Sequence, residues 1–333
     1  MNIGDQVWWR HTDIWLNVGT VTEVGDKQTA VKVGSDTLHV SSDILLPVAD
    51  IPTGRWRGIP DTVYHRLPGL SASGAKLLVP PSCPAKFKEQ RDNPPPSNAV
   101  FDLGKAVHRL VLGEGAPLKI IDADSWRSKA AAEARNEAYA AGVIPVLVGD
   151  FGQIKAMSDA VLMHPVAGKL IDDGVGQAEV SLIVDDPTTG VRLKARPDWM
   201  TERDGRVWLV DLKTSVTAEP KAFARRAADY RYHLQAAWYV QVAALLELDP
   251  QAAFVFVAVE KEPPYLVSVT EWDGEAMQEG ALLMRQAIDT YARCMESDFW
   301  GGYFEGITPI YLPRWAFGAQ ESIGDVLLQG GNS

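Results

Sequence analysis

Two short stretches bring acids and a lysine into a pattern that phosphate chemistry can use. Arg196-Pro197-Asp198 is followed thirteen residues later by Asp211-Leu212-Lys213, at the end of the apolar run Val207-Trp208-Leu209-Val210. A run apolar on both faces predicts a strand inside a sheet that is covered on both sides. Alternation along that strand puts Asp211 and Lys213 on one face. Burying such charges is costly unless they pair or hold a metal. Two carboxylates and a lysine so placed suit a Mg²⁺ ion and a phosphate group, and the chemistry they support is phosphodiester hydrolysis.

That reaction requires a polarised phosphate, a deprotonated water and a stabilised leaving oxygen. Mg²⁺ takes hard oxygen ligands and keeps several waters, so few protein ligands suffice. Asp198 and Asp211 can supply carboxylates and Leu212 a backbone carbonyl. Lys213 is placed to hold the attacking water or the phosphorus oxyanion. A purely structural Lys213–Asp211 salt bridge is the plainer alternative, but it leaves Asp198 unexplained. Along Val191–Asp198, Arg192, Lys194, Arg196 and Asp198 alternate with Val191, Leu193 and Ala195. This pattern reads either as a solvated face or as a basic DNA-binding track leading to a metal-binding acid.

A histidine and a glutamine–tyrosine pair lie on predicted helices. Gly104-Lys105-Ala106-Val107-His108 places Gly104 and His108 one turn apart on one face. Gln235 and Tyr239 are likewise spaced i and i+4. Taken singly, His108 is an ordinary core or surface histidine and the pair is ordinary amphipathic packing.

The elements that must position these residues form an α/β pattern. Residues 1–50 are short, β-rich and turn-separated, which predicts a small all-β barrel of SH3-like or Tudor-like type. Trp8, Trp9 and Trp15 would either fill its core or form an aromatic face. Residues 51–68 read as a Pro-, Gly- and Arg-rich linker, 69–320 as the main domain and 321–333 as a tail. Helices are expected from Ser71 to Leu78, Pro84 to Gln90, Phe101 to Leu112, Trp126 to Ala141 and Asp150 to His164. Asn93-Pro94-Pro95-Pro96 reads as a rigid break. The Trp126–Ala141 helix could also contact DNA through Arg127, Lys129 and Arg135. Strands Glu179–Val184, Val191–Asp198 and Val207–Thr214 form a meander, followed by a long helix over 221–247, strands Phe254–Glu260 and Tyr265–Thr270, and a helix from Gly274 to Ser297. Strands interleaved with covering helices predict a mixed sheet flanked by helices.

Composition narrows the options. The chain of 333 residues has a formal net charge of −11, which argues against a general nucleic-acid coat protein but not against an enzyme with a basic channel. No apolar run reaches the roughly 18 residues of a membrane span, and the N-terminal stretch is not a signal peptide, so a cytoplasmic location is expected. Cys83 and Cys294 are far apart and carry no metal-binding spacing, so no disulfide framework, zinc site or iron–sulfur cluster is expected.

The ordered set of a G-x-x-x-H helix, an R-P-D strand, D-x-K and a helical Q-x-x-x-Y resembles the PD-(D/E)XK nucleases of the RecB and RecE exonuclease type. Tyr64-His65, Leu70-Ser71-Ala72-Ser73, Cys83-Pro84-Ala85-Lys86-Phe87, Tyr230 to Ala237 and Leu312 to Ala316 also match. The resemblance covers roughly residues 60–318 and leaves the N-terminal unit outside. It implies that His108, Asp198 and Asp211 bind metal, directly or through water. It makes Lys213 the catalytic lysine, and Gln235 and Tyr239 residues that position DNA or order the active-site face. Glu179 matches an extra upstream acid of some relatives, or else is a solvated glutamate at a strand start. Asp211 stands where much of the wider superfamily carries Glu. By resemblance the activity is Mg²⁺-dependent (Mn²⁺ being the other candidate) exonuclease digestion of linear double-stranded DNA ends, 5′ to 3′. The implied partners are a single-strand annealing protein and further copies of the chain in a ring, trimer or tetramer.

Overall fold

The computed structural model describes residues 1–10, 16–33, 36–42, 45–47, 51–93, 102–171 and 174–313. Strands β1 (Gln6–Arg10), β2 (Leu16–Glu23), β3 (Gln28–Val33), β4 (Asp36–Ser41) and β5 (Leu46–Pro47) form an antiparallel sheet in the order β4-β3-β2-β1-β5. Alternation along β1 sends Val7 and Trp9 into one cluster with Val21, Val31 and Leu45. Trp8 points to the other side and packs with Ile51, Trp56 and Ile183. Both tryptophans are buried and fill cores; Trp15 lies outside the described residues. Closure into the expected SH3-like barrel is not seen among the described residues.

The stretch 51–68, expected as a linker, contributes to the core. β6 (Gly54–Trp56) pairs with β11 (Ser181–Asp185), and α1 (Asp61–Arg66) follows. Its apolar residues are spread singly among Pro, Gly and Arg, so no periodicity marks them, yet Ile51, Trp56, Ile59 and Tyr64 are all buried.

The chain continues through β7 (Leu70–Ser71), α2 (Ala72–Leu78), α3 (Pro84–Asp92) and α4 (Asp102–Leu112). Ser71 caps α2 by accepting from the Gly74 amide, as a serine before a helical run should. The triple-proline break and Phe101 lie outside the described residues. Next come β8 (Leu118–Ile121), α5 (Lys129–Ala140), β9 (Ile144–Leu147), α6 (Val148–Met163), α7 (Ala167–Ile171) and β10 (Gln177–Ala178). The parallel pair β8–β9 and the short α7 carry no clear sequence period.

After β11 come β12 (Arg192–Ala195), β13 (Trp199–Arg203) and β14 (Arg206–Ser215). The expected strand Val191–Asp198 therefore ends early, at Ala195, and β13 is a further strand that the pattern does not show. The chain turns at Arg196-Pro197-Asp198, where Pro197 has no amide to offer a ladder. It passes there from the β6-β11-β12-β7 sheet to the β10-β13-β14-β15-β16 sheet. The expected long helix is two, α8 (Pro220–Asp229) and α9 (Tyr232–Leu245), separated by Arg231 at φ 52°. β15 (Ala253–Glu260), β16 (Val267–Thr270) and α10 (Gly274–Ser297) complete the core.

β14 and β15 pair in parallel, as a helical crossover between them requires. Leu209 and Phe256 face a core formed with α9 and α10, whereas Val210, Leu212 and Val257 face a core formed with α4 and α6. The central strand is thus covered on both sides, and Asp211 and Lys213 fall on the α9 side.

Candidate active site

The site lies where the β13–β14 ladder stops. The last register pair is Trp199 with Val210, so the next outward-facing peptide on that edge of β14, at Leu212, has no strand partner. The Asp198 side chain takes its place: Oδ2 accepts from the Leu212 amide at 2.7 Å. On the same residue, the Leu212 carbonyl lies 2.7 Å from His108 Nε2, so this nitrogen carries the hydrogen that the carbonyl accepts. Helix α4 presents His108, and a Cβ at Gly104, one turn earlier, would stand 3.5 Å from Thr214 Oγ1 of β14, an ordinary contact. His108 Nδ1 then faces Asp198 Oδ2 at 3.6 Å.

Helix α9 approaches from the opposite face. Gln235 is buried, and its Nε2 donates to Asp211 Oδ1 at 2.6 Å. Asp211 is 3% exposed, and its Oδ2 is ion-paired with Lys213 Nζ. Tyr239, one turn on, donates its hydroxyl to the Arg196 carbonyl at 3.0 Å, and Trp238 Nε1 donates to the Lys194 carbonyl at 3.1 Å. The glutamine therefore reaches the acid, while the tyrosine fixes the bend that carries Asp198.

Burial raises the Asp198 carboxyl above its usual range and the Asp211 charge adds to this, with His108 and Lys213 opposing. For Lys213, burial would favour the neutral amine, but Asp211 and Asp198 outweigh it and hold the ammonium above its ordinary value. Glu179, at φ 54°, donates its amide to the Asp198 carbonyl at 3.1 Å, and burial together with the Asp198 charge pushes its carboxyl up to about 7.

The basic residues of β12 and the bend are placed differently from a surface track. Lys194 is buried and donates to the carbonyls of Tyr64 at 2.9 Å and Leu67 at 2.6 Å. Arg196 is buried against the Tyr64 ring at 3.9 Å and donates to Ser181 Oγ and the Ile59 carbonyl. It also lies 3.8 Å from Asp61 and from Glu179. Arg192 pairs with Asp185 at 3.0 Å and donates to the Ile51 carbonyl. All three cations hold α1 and its flanks against the sheet, a use that alternation cannot distinguish from a solvated face. On α5, Arg135 stacks on Trp126 at 5.7 Å.

Sequence reasoning missed Lys76. From α2 its Nζ donates to Gln235 Oε1 at 3.0 Å and sits 4.9 Å from the centre of the Tyr232 ring, the same ring that Lys213 Nζ approaches at 5.1 Å. Burial, reinforced by Lys213, lowers Lys76 to about 8. Nothing in a lysine on a short capped helix signals this; the helix packing makes the contact.

Among the described residues no three His, Cys, Asp or Glu side chains form a group able to hold a metal unaided. The donors that are present still fit a hard divalent ion, which needs few protein ligands. Asp211 is buried and Asp198 half-buried, two carboxylates with like charge; Asp211 Oδ2 faces only Lys213, and the Leu212 carbonyl keeps a second lone pair. A bound Mg²⁺ would polarise a phosphate and acidify a water there. The chain's own part is to fix the carboxylates through Gln235 and the Leu212 amide, and to keep an ammonium beside them.

A mixed sheet with a D-x-K strand at its centre, an acid at the neighbouring bend and helices on both faces is a nuclease-like core of the PD-(D/E)XK class. Residues 71–310 match the family described as a PDDEXK-like domain of unknown function (DUF3799), and the chain belongs to that family. No curated protein matches the sequence. Among solved structures, a protein from Eubacterium rectale provisionally designated an exonuclease superposes with a TM-score of 0.49 at 13% identity, covering 72% of this chain and 84% of that one. The protein SSO0001 superposes with a TM-score of 0.25 at 16% identity, covering 62% and 83%. No helix among the described residues is long and apolar enough to cross a membrane.

Proposed function

We propose that the protein is a Mg²⁺-dependent exodeoxyribonuclease that degrades linear double-stranded DNA from its ends. The observation that carries this reading is the meeting of Asp198, Asp211, Lys213 and His108 around Leu212, with Gln235 holding Asp211. Asp198, Asp211 and the Leu212 carbonyl bind the metal, with His108 beside them and Glu179 close enough to serve a second ion. Lys213 holds the attacking water or the oxyanion. Mn²⁺ suits the same oxygen ligands. Digestion runs 5′ to 3′ and leaves 3′ overhangs for a single-strand annealing protein in the cytoplasm. The chain works as a homo-oligomeric ring, and its N-terminal sheet belongs to a small SH3-like barrel.

The test is digestion of a 5′-labelled linear duplex beside a covalently closed circle, in Mg²⁺ and in EDTA, with wild type and Lys213→Ala. Early release of label with an intact circle, only with Mg²⁺ and only by wild type, is the expected result. A nicked circle converts the reading to an endonuclease. Full activity of Lys213→Ala sinks the catalytic assignment.

A further inference from the structure

The junction of α8 and α9 presents an aromatic ladder that the hydrolytic residues do not use. Tyr230 is 57% exposed, and its ring stacks on Tyr232 with centroids 5.6 Å apart and planes at 23°. Tyr232 stacks in turn on buried Phe256 of β15 at 5.3 Å and 27°. Three rings therefore run from the core to solvent, and the middle one lies under the ammonium groups of Lys213 and Lys76. The outer ring is aimed by the backbone. Arg231 adopts a left-handed conformation that is costly for a residue with a Cβ, and its guanidinium donates to the Pro80 carbonyl. Without that break, α8 would run straight on and carry Tyr230 with it.

The surrounding charge is opposite to that of the whole chain. Residues 219–232 contain Lys221, Arg225, Arg226 and Arg231 against Glu219 and Asp229, a local excess of two cations in a chain of net charge −11. Glu219 is already engaged, capping α8 by accepting from the Lys221 and Ala222 amides. Arg226 stands one turn before Tyr230, and both Arg225 and Arg226 are exposed. An exposed ring flanked by cations is how single strands are gripped without reading sequence: bases stack on the ring and phosphates lie against the charges.

We propose that Tyr230 is the platform on which an unpaired nucleobase of the entering DNA strand stacks, with Arg225 and Arg226 against its phosphates. This rests on the nuclease reading and deepens it. The substrate at the site is a single strand, so a duplex end must fray before its strand reaches Lys213.

The experiment places 5-iodouracil at successive positions from the end of a linear DNA, with Ca²⁺ replacing Mg²⁺ so that the DNA is not consumed. Irradiation and mass spectrometry locate the crosslink, and DNA cleavage kinetics are measured in Mg²⁺. The expected crosslink is to Tyr230, from one or two positions near the end. Tyr230→Ala raises KM for DNA by roughly 5- to 150-fold, more than it lowers kcat, while Tyr230→Phe keeps the ring and restores KM. If wild type cleaves DNA but does not crosslink at Tyr230, and Tyr230→Ala keeps the wild-type KM, the platform is overturned and the nuclease reading stands. If wild type neither cleaves nor crosslinks, both fall. Should Tyr230→Ala fail to fold, the wild-type crosslink still decides.

Discussion

Gln235 Nε2 lies 2.6 Å from Asp211 Oδ1, and this bond ties the crossover helix to the acid in the middle of the central strand. The oxygen of the same amide accepts from Lys76 at 3.0 Å. An amide with a cation on its oxygen has only one sensible orientation, with its NH₂ turned to the carboxylate. Lys76 of α2 and Gln235 of α9 thus hold the acid of β14 in a chain.

Lys76→Met keeps the side-chain length and frees the amide to turn. The expected result is a kcat lower by roughly tenfold, the scale of one charge-assisted hydrogen bond, with KM unchanged. Burial sets Lys76 to about 8, below its ordinary 10.5. Between those pH values the folded state binds fewer protons than the unfolded one, so this group makes stability rise with pH. Urea midpoints of wild type relative to Lys76→Met should therefore climb from pH 8 to pH 10. A difference that does not vary with pH contradicts the assignment.

Asp198→Asn keeps an oxygen acceptor for the Leu212 amide and removes a charge that burial and Asp211 disfavour. Cleavage should vanish while the melting temperature in metal-free buffer equals or exceeds that of wild type, as when a site sacrifices stability for chemistry. Calorimetry beside a digestion assay checks both. A large drop in melting temperature would mean that the acid is structural.

Arg196→Met removes a buried guanidinium together with its contacts to Ser181, Ile59 and Tyr64. The loss should be about 3 kcal/mol in urea denaturation, because the buried Ser181 hydroxyl and Ile59 carbonyl are left without their donor. Unchanged stability with weakened DNA binding would instead restore the basic-track reading.

Gly280→Ala probes the contact between α9 and α10. A Cβ there would stand 2.3 Å from the His233 carbonyl oxygen and 3.0 Å from Ala237 Cβ. The helices must separate, at roughly 1–3 kcal/mol, and Gln235 moves with α9, so activity should fall along with the melting temperature. Gly302→Ala, with nothing within 4 Å, is the control and should match wild type in both.

The heart of the site was legible because its signals are local. Asp211-Leu212-Lys213 closes an apolar run, and Asp198 follows a proline. The rest depends on partners far away in sequence. Lys194 alternates with apolar neighbours as a surface lysine would, yet its acceptors lie 130 and 127 residues earlier. Lys76 meets Gln235 across 159 residues. The α8–α9 break falls at an arginine, with neither Gly nor Pro to mark it, and alternation across Arg196-Pro197-Asp198 hides a change of direction. β6 escapes because a lone buried tryptophan among Pro, Gly and Arg has no period.

Trp8 sits in one cluster with Trp56 and Ile183, its ring centre 6.2 Å from that of Trp56. The N-terminal sheet and the nuclease core share a seam of side chains, so a graft that exchanged residues 1–50 for another small β unit would leave the indole of Trp56 facing water. Only a replacement with its own bulky apolar residue at that place would fit. The sheet is thus no interchangeable cassette, and change on either side of the seam must be matched on the other.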